Sequence, residues 1–315
     1  MTPVGTIPLR VAAAEPLSPT LRRFVLEPAE GGELPTGSAG AHILLTIPGR
    51  HRTHRNAYSL ITNPEERRRY EVVVRRVAES RGGSVHMHEA VAPGTVLHAT
   101  WPTNLFPLAS TARRHLLISG GIGITPMLSY LSVLHAAGTP YELHQICRAE
   151  DRPAFEALLA PFASGTVSIH GRIGLDLDRV LGRQPLGTHL YTCGPRALMD
   201  AVTGHAHALG WPASNVHTES FGDHRGGAPF RVTAARSGRT MDVAGDQTIL
   251  EALEEAGIAA PCLCRGGVCG ECRTPVLRGR PEHRDDVLDD DERRGNKVMM
   301  ICVSRAQTPE LVLDI

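Results

Sequence analysis

The 315-residue chain lacks several features that would assign it quickly to a class. Its 33 basic and 33 acidic residues balance, so no global field attracts nucleic acid or an anionic membrane. No apolar run approaches the length of a membrane span, and the first residues lack a basic segment followed by an apolar one. These absences predict a soluble cytoplasmic protein that binds neither nucleic acid nor membrane and recognises its partners locally.

Cysteine is also scarce outside one loop. Four of the seven cysteines lie within residues 262–272. The other three are Cys147, Cys193 and Cys302. Such clustering without a secretion signal favours ligation of a metal centre over structural disulfides. The spacing Cys264-x4-Cys269-x2-Cys272, followed by 29 residues and Cys302, is that of plant-type ferredoxins, in which four thiolates hold a 2Fe-2S cluster.

A structural zinc site is the alternative for this loop. Zinc also takes four thiolates, but usually as two Cys-x2-4-Cys pairs, whereas here three cysteines are local and one is distant. The cluster is therefore favoured, with Cys262 interpreted as a non-ligand. Gly266, Gly267 and Gly270 permit the positive φ angles and the close approach that the loop needs to turn its backbone amides towards the sulfides. Cys147 and Cys193 lie at the ends of predicted buried strands and are interpreted as small apolar side chains.

The pattern of strands and helices changes along the chain. Residues 1–108 contain β-rich segments at 43–47 and 70–74 between Gly, Pro and Asn clusters, which predicts a small antiparallel β-barrel. Residues 109–225 alternate strands with helices, which predicts an α/β domain with a parallel sheet. The expected strands there are 115–119, 141–147, 167–170 and 188–192, and the expected helices are 125–137, 153–159 and one from 196.

A third region begins after the polar, glycine-rich stretch 222–229, which is interpreted as a linker. Residues 226–315 are expected to form a smaller α+β domain. Its predicted elements are strands at 230–235 and 239–243 and a helix at 249–256, ahead of the cysteine loop. The sequence shows no internal repeat.

Two segments of the barrel region carry candidate ligand-binding residues. Arg55, Tyr58 and Ser59 on an extended segment could present a cation, an aromatic face and a hydroxyl to one side or edge of a planar ligand. An ordinary edge strand is the alternative. The run 81–84 precedes a short predicted helix, so free amides and Arg81 could converge on a phosphate, with a plain glycine-rich turn as the alternative.

A glycine-rich loop lies between the first parallel strand and its helix. In Gly120-Gly121-Ile122-Gly123-Ile124-Thr125-Pro126, the glycines let the backbone approach a pyrophosphate, and Pro126 is tolerated in a first helical turn. The loop does not match the Gly-x-Gly-x-x-Gly fingerprint of standard dehydrogenases. Cys193-Gly194-Pro195 ends another strand at the same edge of the sheet and is expected to lie near the nicotinamide.

In this order, the motifs Arg-x-x-Tyr-Ser-Leu, Gly-Gly-Ile-Gly-Ile-Thr-Pro-Met, Cys-Gly-Pro and the cysteine loop resemble the phthalate dioxygenase reductase family. These are flavin-dependent reductases of Rieske oxygenase systems, and vanillate demethylase reductase belongs with them. The resemblance covers nearly the whole chain. It implies an FMN-binding barrel, an NAD-binding domain and a β-grasp ferredoxin domain in a monomer; the sequence alone leaves FAD open.

Residue roles follow from the resemblance by motif. Residues implied to contact the flavin ring and ribityl chain are Arg55, Tyr58 and Ser59, and those implied to hold its phosphate are Arg81, Gly82, Gly83 and Ser84. Residues implied to bind NAD are Gly120, Gly121, Gly123, Thr125, Pro126, Arg148, Cys193, Gly194 and Pro195. The implied cluster ligands are Cys264, Cys269, Cys272 and Cys302. Phe221 matches an aromatic residue near the flavin, with interdomain packing as the alternative.

The choice between NADH and NADPH stays open at this level. The resemblance favours NADH. However, related reductases often carry an acidic residue in the stretch that here reads His170-Gly171-Arg172. Arg148 and Arg172 could each contact a 2′-phosphate.

The expected activity needs no acid/base triad. Nicotinamide delivers two electrons as hydride and the cluster accepts one at a time, so a flavin is required between them. The expected acceptor is a Rieske-type oxygenase, with a cytochrome P450 as the alternative partner and a flavin-only reductase as the alternative activity. The acidic run 285–292, between the third and fourth cysteine ligands, could steer a basic partner or be an ordinary solvated turn.

Overall fold

The computed structural model describes residues 5–49, 52–163, 166–222 and 225–315. They form two compact units, one within residues 1–76 and 86–219 and the other within 77–85 and 220–315. The first unit contains two sheets, and the second contains the cysteine loop. The division into three domains at 108 and 225 stays a prediction.

The N-terminal part of the first unit is a near-closed antiparallel barrel of six strands, as predicted. The strands are β1 (Ile7–Pro16), β2 (Leu21–Pro28), β3 (His42–Pro48), β4 (Thr53–Ser59), β5 (Tyr70–Arg75) and β6 (Val96–Ala99). Their order is β4-β3-β6-β1-β2-β5, and the edge strands β4 and β5 approach each other. Alternate residues such as Ile43, Leu45 and Ile47 fill the interior because successive side chains of a strand point to opposite faces. Helix α1 spans Gly83–Glu89.

The second sheet of this unit is parallel and confirms the predicted α/β architecture. Its strands are β7 (Arg114–Gly120), β8 (Tyr141–Ile146), β9 (Thr166–His170), β10 (Thr188–Cys193) and β11 (Val216–Glu219). Its helices are α2 (Ile124–Ala136), α3 (Arg152–Leu159), α4 (Leu177–Gly182) and α5 (Arg196–Ala208). The strand order is β11-β10-β7-β8-β9, so the order reverses between β7 and β10. Ligands of open α/β sheets bind at the carboxyl ends of the strands beside such a reversal.

The second unit is a β-grasp domain. Its strands are β12 (Phe230–Ala234), β13 (Arg239–Val243), β14 (Arg273–Arg278), β15 (Pro281–Glu282), β16 (Val298–Met300), β17 (Arg305–Ala306) and β18 (Glu310–Leu313), and its helices are α6 (Ile249–Glu255) and α7 (Asp290–Gly295). Five strands form a sheet in the order β13-β12-β18-β14-β16, with β12 and β18 parallel. Ile249, Leu250 and Leu253 of α6 pack in its core.

The remaining sequence predictions concern the linker and the absence of a membrane span. Asp223 and His224 of the predicted linker lie outside the described residues. None of the described helices combines the length and the apolar character needed to cross a bilayer.

Candidate redox site

The glycine loops after β7 and β10 pack backbone against backbone. A Cβ added to Gly123 would lie 2.3 Å from the carbonyl oxygen of Cys193, and one added to Gly194 would lie 2.9 Å from the amide nitrogen of Gly120. Both distances are shorter than any real Cβ contact, so only glycine fits. The structure therefore brings the two predicted nucleotide loops together at the reversal of strand order.

The start of α2 explains the rest of the first loop. A short 3-10 turn spans Gly121–Gly123, and α2 follows with Pro126 in its first turn, as expected. Gly121 has φ +54°, which favours glycine. The Thr125 hydroxyl donates to the carbonyl oxygen of Ile122 at 3.0 Å, and Thr125 is buried. Thr125 therefore shapes the loop, which presents its backbone to a ligand.

A cleft of about 540 Å³ opens beside these loops at the carboxyl ends of the strands. Gly120, Gly121 and Pro195 line one end, and Arg148 and Arg172 line the other. Arg75 also lines the cleft, and its guanidinium would lie 3.0 Å from a Cβ on Gly121. Sequence reasoning missed Arg75 because it ends a barrel strand, far in the chain from the glycine loops.

Glu219 is a second residue that sequence reasoning did not assign. It ends β11 directly opposite Cys193, and its buried Oε2 accepts no hydrogen bond from any described residue. Burial raises the pKa of Glu219 to about 8. Burial, with the charge of Glu219, also raises the pKa of Cys193 well above its ordinary value. At neutral pH this edge of the sheet therefore presents a protonated carboxyl group and a protonated thiol.

The predicted flavin residues of β4 divide between two faces of the strand. Tyr58 lies opposite Ile43 and packs against the barrel core, whereas Arg55 and Ser59 alternate onto the other face. Asn56 donates to the Tyr58 hydroxyl at 3.2 Å. Burial, partly offset by this bond, raises the pKa of Tyr58 to about 12. The pleat therefore places Arg55 and Ser59 together and Tyr58 apart from them.

The run 81–84 belongs to the second compact unit. Arg81 is buried, and its Nη1 donates to both carboxylate oxygens of Glu251 at 2.8 and 2.9 Å. Gly82 has φ +104°, and Gly83 begins α1. The Ser84 hydroxyl accepts from the Val77 amide at 3.2 Å. The loop is thus held in place by its own polar side chains and by one carboxylate of α6.

Four thiols converge in the second unit. The Cys272 thiol lies 3.1 Å from the Cys302 sulfur. A hydrogen bond from Cys302 lowers the pKa of Cys264 to about 4 against the effect of burial, and the amides of Val268 and Gly266 add to this lowering. Those two amides lie 3.5 and 3.4 Å from the Cys264 sulfur.

Cys269 completes the group through its interaction with Cys264, although burial raises the pKa of Cys269. Amides that already donate to a sulfur are the donors that thiolates of an iron–sulfur group require. In the described part of the chain, no three His, Cys, Asp or Glu side chains are gathered for a single metal ion. The fit of a two-iron group therefore rests on the four thiols.

The backbone of the cysteine loop differs in one respect from expectation. Gly267 and Gly270 have φ +73° and +79°, as predicted, but the third positive φ, +53°, belongs to Arg265 and not to Gly266. The buried guanidinium of Arg265 donates to both carboxylate oxygens of Glu254 on α6. Gly266 does not use the positive φ that glycine permits.

Cys262 has a hydrogen-bond partner outside the group of four thiols. Arg265 donates to its sulfur at 3.7 Å, and the side chain packs against the β-grasp core. Phe221 and Gly222 lie on the other side of the same loop, since a Cβ on Gly222 would lie 2.3 Å from the carbonyl oxygen of Gly266.

Comparisons with known proteins agree with this geometry. A family model described as a 2Fe-2S iron-sulfur cluster binding domain matches residues 232–307. The chain is 43% identical over 311 residues to the heme-dependent oxidative N-demethylase beta subunit of Ectopseudomonas mendocina (strain ymp), with 98% of each chain covered. The solved structure of phthalate dioxygenase reductase is 35% identical, with a TM-score of 0.91, and the match covers 99% of this chain and 98% of that one.

A fusion protein contains a similar module. The structure of an intact type IV self-sufficient cytochrome P450 monooxygenase is 33% identical, with a TM-score of 0.70. The match covers 100% of this chain and 42% of that chain.

The barrel, the parallel sheet and the four-thiol domain define the reductase component of an oxygenase system, which uses a nicotinamide nucleotide, a flavin and a 2Fe-2S cluster. The chain belongs to the phthalate dioxygenase reductase family. The fold class, the family, the activity and the cofactor classes predicted from the sequence are therefore confirmed.

Packing of the glycine loops gives the first testable prediction. We expect Gly123→Ala to destabilise the protein by about 1–3 kcal/mol because its Cβ would overlap the Cys193 carbonyl. The matched control is Gly204→Ala in α5, where a Cβ meets nothing within 4 Å and helix propensity should add about 1 kcal/mol of stability. Urea unfolding of both variants measures the difference. Equal stabilities would show that the loops do not pack as described.

The buried carboxyl gives a prediction about pH. The pKa of Glu219 is raised from 4.5 to about 8, so the folded protein keeps a proton that the unfolded chain loses, and stability falls as pH rises between these values. Glu219→Gln removes this titration. Its stability relative to wild type should therefore rise between pH 5 and pH 8 by at least about 1 kcal/mol, given about 1.4 kcal/mol per pKa unit.

Glu142→Gln is the matched control. Burial raises the pKa of Glu142, but hydrogen bonds from Gln184, His144 and Arg183 outweigh it and lower the pKa to about 2. Glu142 is therefore ionised in both folded and unfolded states above about pH 5.5. Its glutamine variant should show a nearly constant deficit between pH 5.5 and pH 8 in thermal unfolding. The same flat profile for Glu219→Gln would refute the buried, protonated state of Glu219.

Proposed function

We propose that the chain is the reductase component of a Rieske-type oxygenase and that its flavin is FMN. The observation that carries the proposal is the match to phthalate dioxygenase reductase along both whole chains. The flavin supplies two-electron acceptance from a nicotinamide, and the cluster supplies one-electron delivery. Every other contribution comes from side chains that bind, orient and shield these groups.

Cys264, Cys269, Cys272 and Cys302 are the proposed ligands of the cluster. Three of the four are nearly fully buried, which limits solvent access to the sulfur atoms. The amides of Gly266 and Val268 already point at Cys264, so negative charge on the ligands is stabilised without rearrangement of the loop. Cys262 takes no part, because Arg265 and the core hold its side chain.

The flavin is proposed to bind on the face of β4 that carries Arg55 and Ser59. A guanidinium and a hydroxyl on one face are donors suited to the carbonyl oxygens of the ring and to the ribityl chain. Tyr58, protonated at neutral pH, positions the strand from the core side. The run Arg81, Gly82, Gly83 and Ser84 is the proposed phosphate loop, and its Arg81 is oriented by Glu251.

The nucleotide is proposed to bind across the two glycine loops. Gly120, Gly121 and Gly123, with Thr125 and Pro126 shaping the helix start, present the backbone to the pyrophosphate, and Arg75 adds a cation beside Gly121. Cys193, Gly194 and Pro195 form the floor at the nicotinamide end. Glu219 lies next to Cys193 and keeps this end uncharged at neutral pH.

The acidic run between the third and fourth ligands is the proposed docking surface for the oxygenase. Asp285 is buried, and its carboxylate accepts the amides of Val287 and Leu288 at 3.1 and 2.8 Å, so this residue only shapes the turn. The Asp286 amide donates to the carbonyl oxygen of Gly267 at 2.9 Å, which anchors the turn to the cysteine loop. The carboxylates at 289–291 are exposed and create a negative field beside the cluster site.

A haem-containing acceptor is the second candidate. The fused P450 monooxygenase carries a module like the whole chain, and the N-demethylase relative is named as heme-dependent. The test is to supply the reduced protein with a purified Rieske-type oxygenase component and, separately, with a P450, and to measure substrate turnover coupled to NADH consumption. Turnover only with the P450 would favour this candidate over the proposal.

Removal of one proposed ligand separates the two halves of the electron path. In Cys302→Ser, we expect NADH to reduce the flavin at the wild-type rate, whereas cytochrome c reduction falls at least about a hundredfold because the last carrier is lost. Stopped-flow absorbance of the flavin and steady-state cytochrome c reduction measure the two steps. Cys262→Ser is the control and should retain two irons per chain and both rates. Loss of iron in that control would mean that Cys262, and not Cys264, is the first ligand of the cluster.

Charge reversal on the acidic turn tests the docking surface. Asp290→Lys should lower the rate of partner reduction by about threefold or more at low ionic strength, and added salt should shrink the difference because exposed charges are screened. Asp242→Lys, an equal change at an exposed position on the edge strand β13, is the control. The same effect from both variants would mean that net charge, and not this turn, governs association.

A further inference from the structure

The cleft beside the glycine loops continues into a second recess, which has no role in the function proposed above. This recess, of about 610 Å³, lies at the carboxyl ends of β8 and β9. Three arginines and one histidine line it, against a single glutamate: Arg148, Arg152, Arg172, His170 and Glu150. It shares Cys147, Arg148, Gly171 and Arg172 with the cleft that runs to the glycine loops. A nucleotide on those loops therefore has a strongly cationic space at one end.

The three arginines differ in how fully they are paired. Arg152 donates to Glu156 at 2.8 Å and to a backbone carbonyl, so it is committed to α3. Arg148 lies 3.6 Å from Glu150, and both side chains are about half exposed, at 46% and 50%. An exposed pair at that distance contributes little and is readily exchanged. Arg172 is exposed and has neither a hydrogen bond nor an ion pair with any described residue.

The two acidic side chains that line the recess and the cleft, Glu150 and Asp151, each already have a partner. Glu150 faces Arg148. Asp151, the other acid in the cleft, is buried and accepts hydrogen bonds from the hydroxyls of Ser18 and Thr20 at 2.6 and 3.0 Å.

In dinucleotide-binding βαβ units, an acidic residue about 20 residues beyond the glycine-rich turn binds the ribose 2′-hydroxyl of NADH. An arginine near that position accommodates the 2′-phosphate of NADPH. The second strand here is β8, and Arg148 follows it by two residues. Arg172 approaches the same recess from the end of β9.

We propose that Arg148 and Arg172 form a binding site for a phosphomonoester, the 2′-phosphate of NADPH, so that this reductase uses NADPH as well as NADH. The inference rests on the nucleotide site described under the proposed function and adds its specificity. Two guanidinium groups on neighbouring strand ends can contact one phosphate together, each through charge-assisted hydrogen bonds. When the 2′-phosphate binds, Arg148 exchanges its weak ion pair with Glu150 for the phosphate, which is the stronger acceptor.

A binding experiment tests the site without catalysis. Adenosine 2′,5′-bisphosphate and 5′-AMP differ only in the 2′-phosphate, so calorimetric titration of the flavin- and cluster-loaded protein with each isolates that group. We expect the bisphosphate to bind at least about tenfold more tightly at low salt, as one charge-assisted contact supplies that factor. Arg172→Gln should remove most of this difference. Equal affinities for the two nucleotides in the wild-type protein would overturn the proposal.

Kinetics provide the second readout. NADPH should reduce the flavin with a kcat/KM within about tenfold of that for NADH, and a larger deficit would overturn the proposal. In Arg172→Gln, the ratio of the NADPH to the NADH value should fall about tenfold. Arg179→Gln on α4 removes one exposed arginine from the same domain, outside both parts of the cleft, and should leave the ratio unchanged. An equal fall in both variants would assign the effect to net charge and overturn the proposal.

The outcomes separate this inference from the proposed function. If neither nucleotide reduces the flavin, the reductase assignment itself fails. If NADH reduces it and NADPH does not, the nucleotide site stands and only the phosphate site is wrong.

Discussion

The contact between two bare backbones is the constraint on which the first unit depends. Gly123 lies against the Cys193 carbonyl, and Gly194 lies against the Gly120 amide, so neither glycine leaves room for a side chain. This contact sets the floor of the nucleotide cleft and the start of α2. It also fixes the end of β10, and through the register of β10 with β11 it fixes Glu219 beside Cys193. A single close approach thus determines both the shape and the protonation of one site.

Helix α6 has a comparable role in the second unit. Its Glu251 binds Arg81 and also accepts the Thr248 amide at the start of the helix. One turn later, Glu254 binds Arg265 of the cysteine loop. Burial raises the pKa of Glu251, but the charge of Arg81 and the hydrogen bonds from Thr248 outweigh it, so the carboxyl is ionised. Two carboxylates on one helix therefore anchor both the run 81–84 and the cysteine loop within the second unit.

Much of this architecture was predictable because its signals are local. Strands β7, β8 and β10 are short apolar runs between glycine loops, and the cysteine spacing alone indicates a plant-type cluster. Strand β11 was missed because Val-His-Thr-Glu is short and polar, and it exists only through its pairing with β10. Arg75, Glu219 and the Arg265 ion pair were missed for a related reason. The role of each depends on a contact with a residue that is distant in the chain, and a single sequence does not show which distant residues are in contact.

The proposed ligands of the two units carry their negative charge on different atoms, phosphate oxygens in one unit and sulfur in the other. Different residues surround each site. The cleft proposed for the nucleotide is lined by Arg75, Arg148 and Arg172, and the one carboxylate among the residues described there, that of Asp151, accepts hydrogen bonds from two hydroxyls. In the cysteine loop, the amides of Gly266 and Val268 point at the Cys264 sulfur, whereas the carboxylates at 289–291 of the acidic turn are exposed. The balance of 33 basic and 33 acidic residues therefore does not show how the charges are distributed; the arginines of the cleft and the carboxylates of the acidic turn lie in different units.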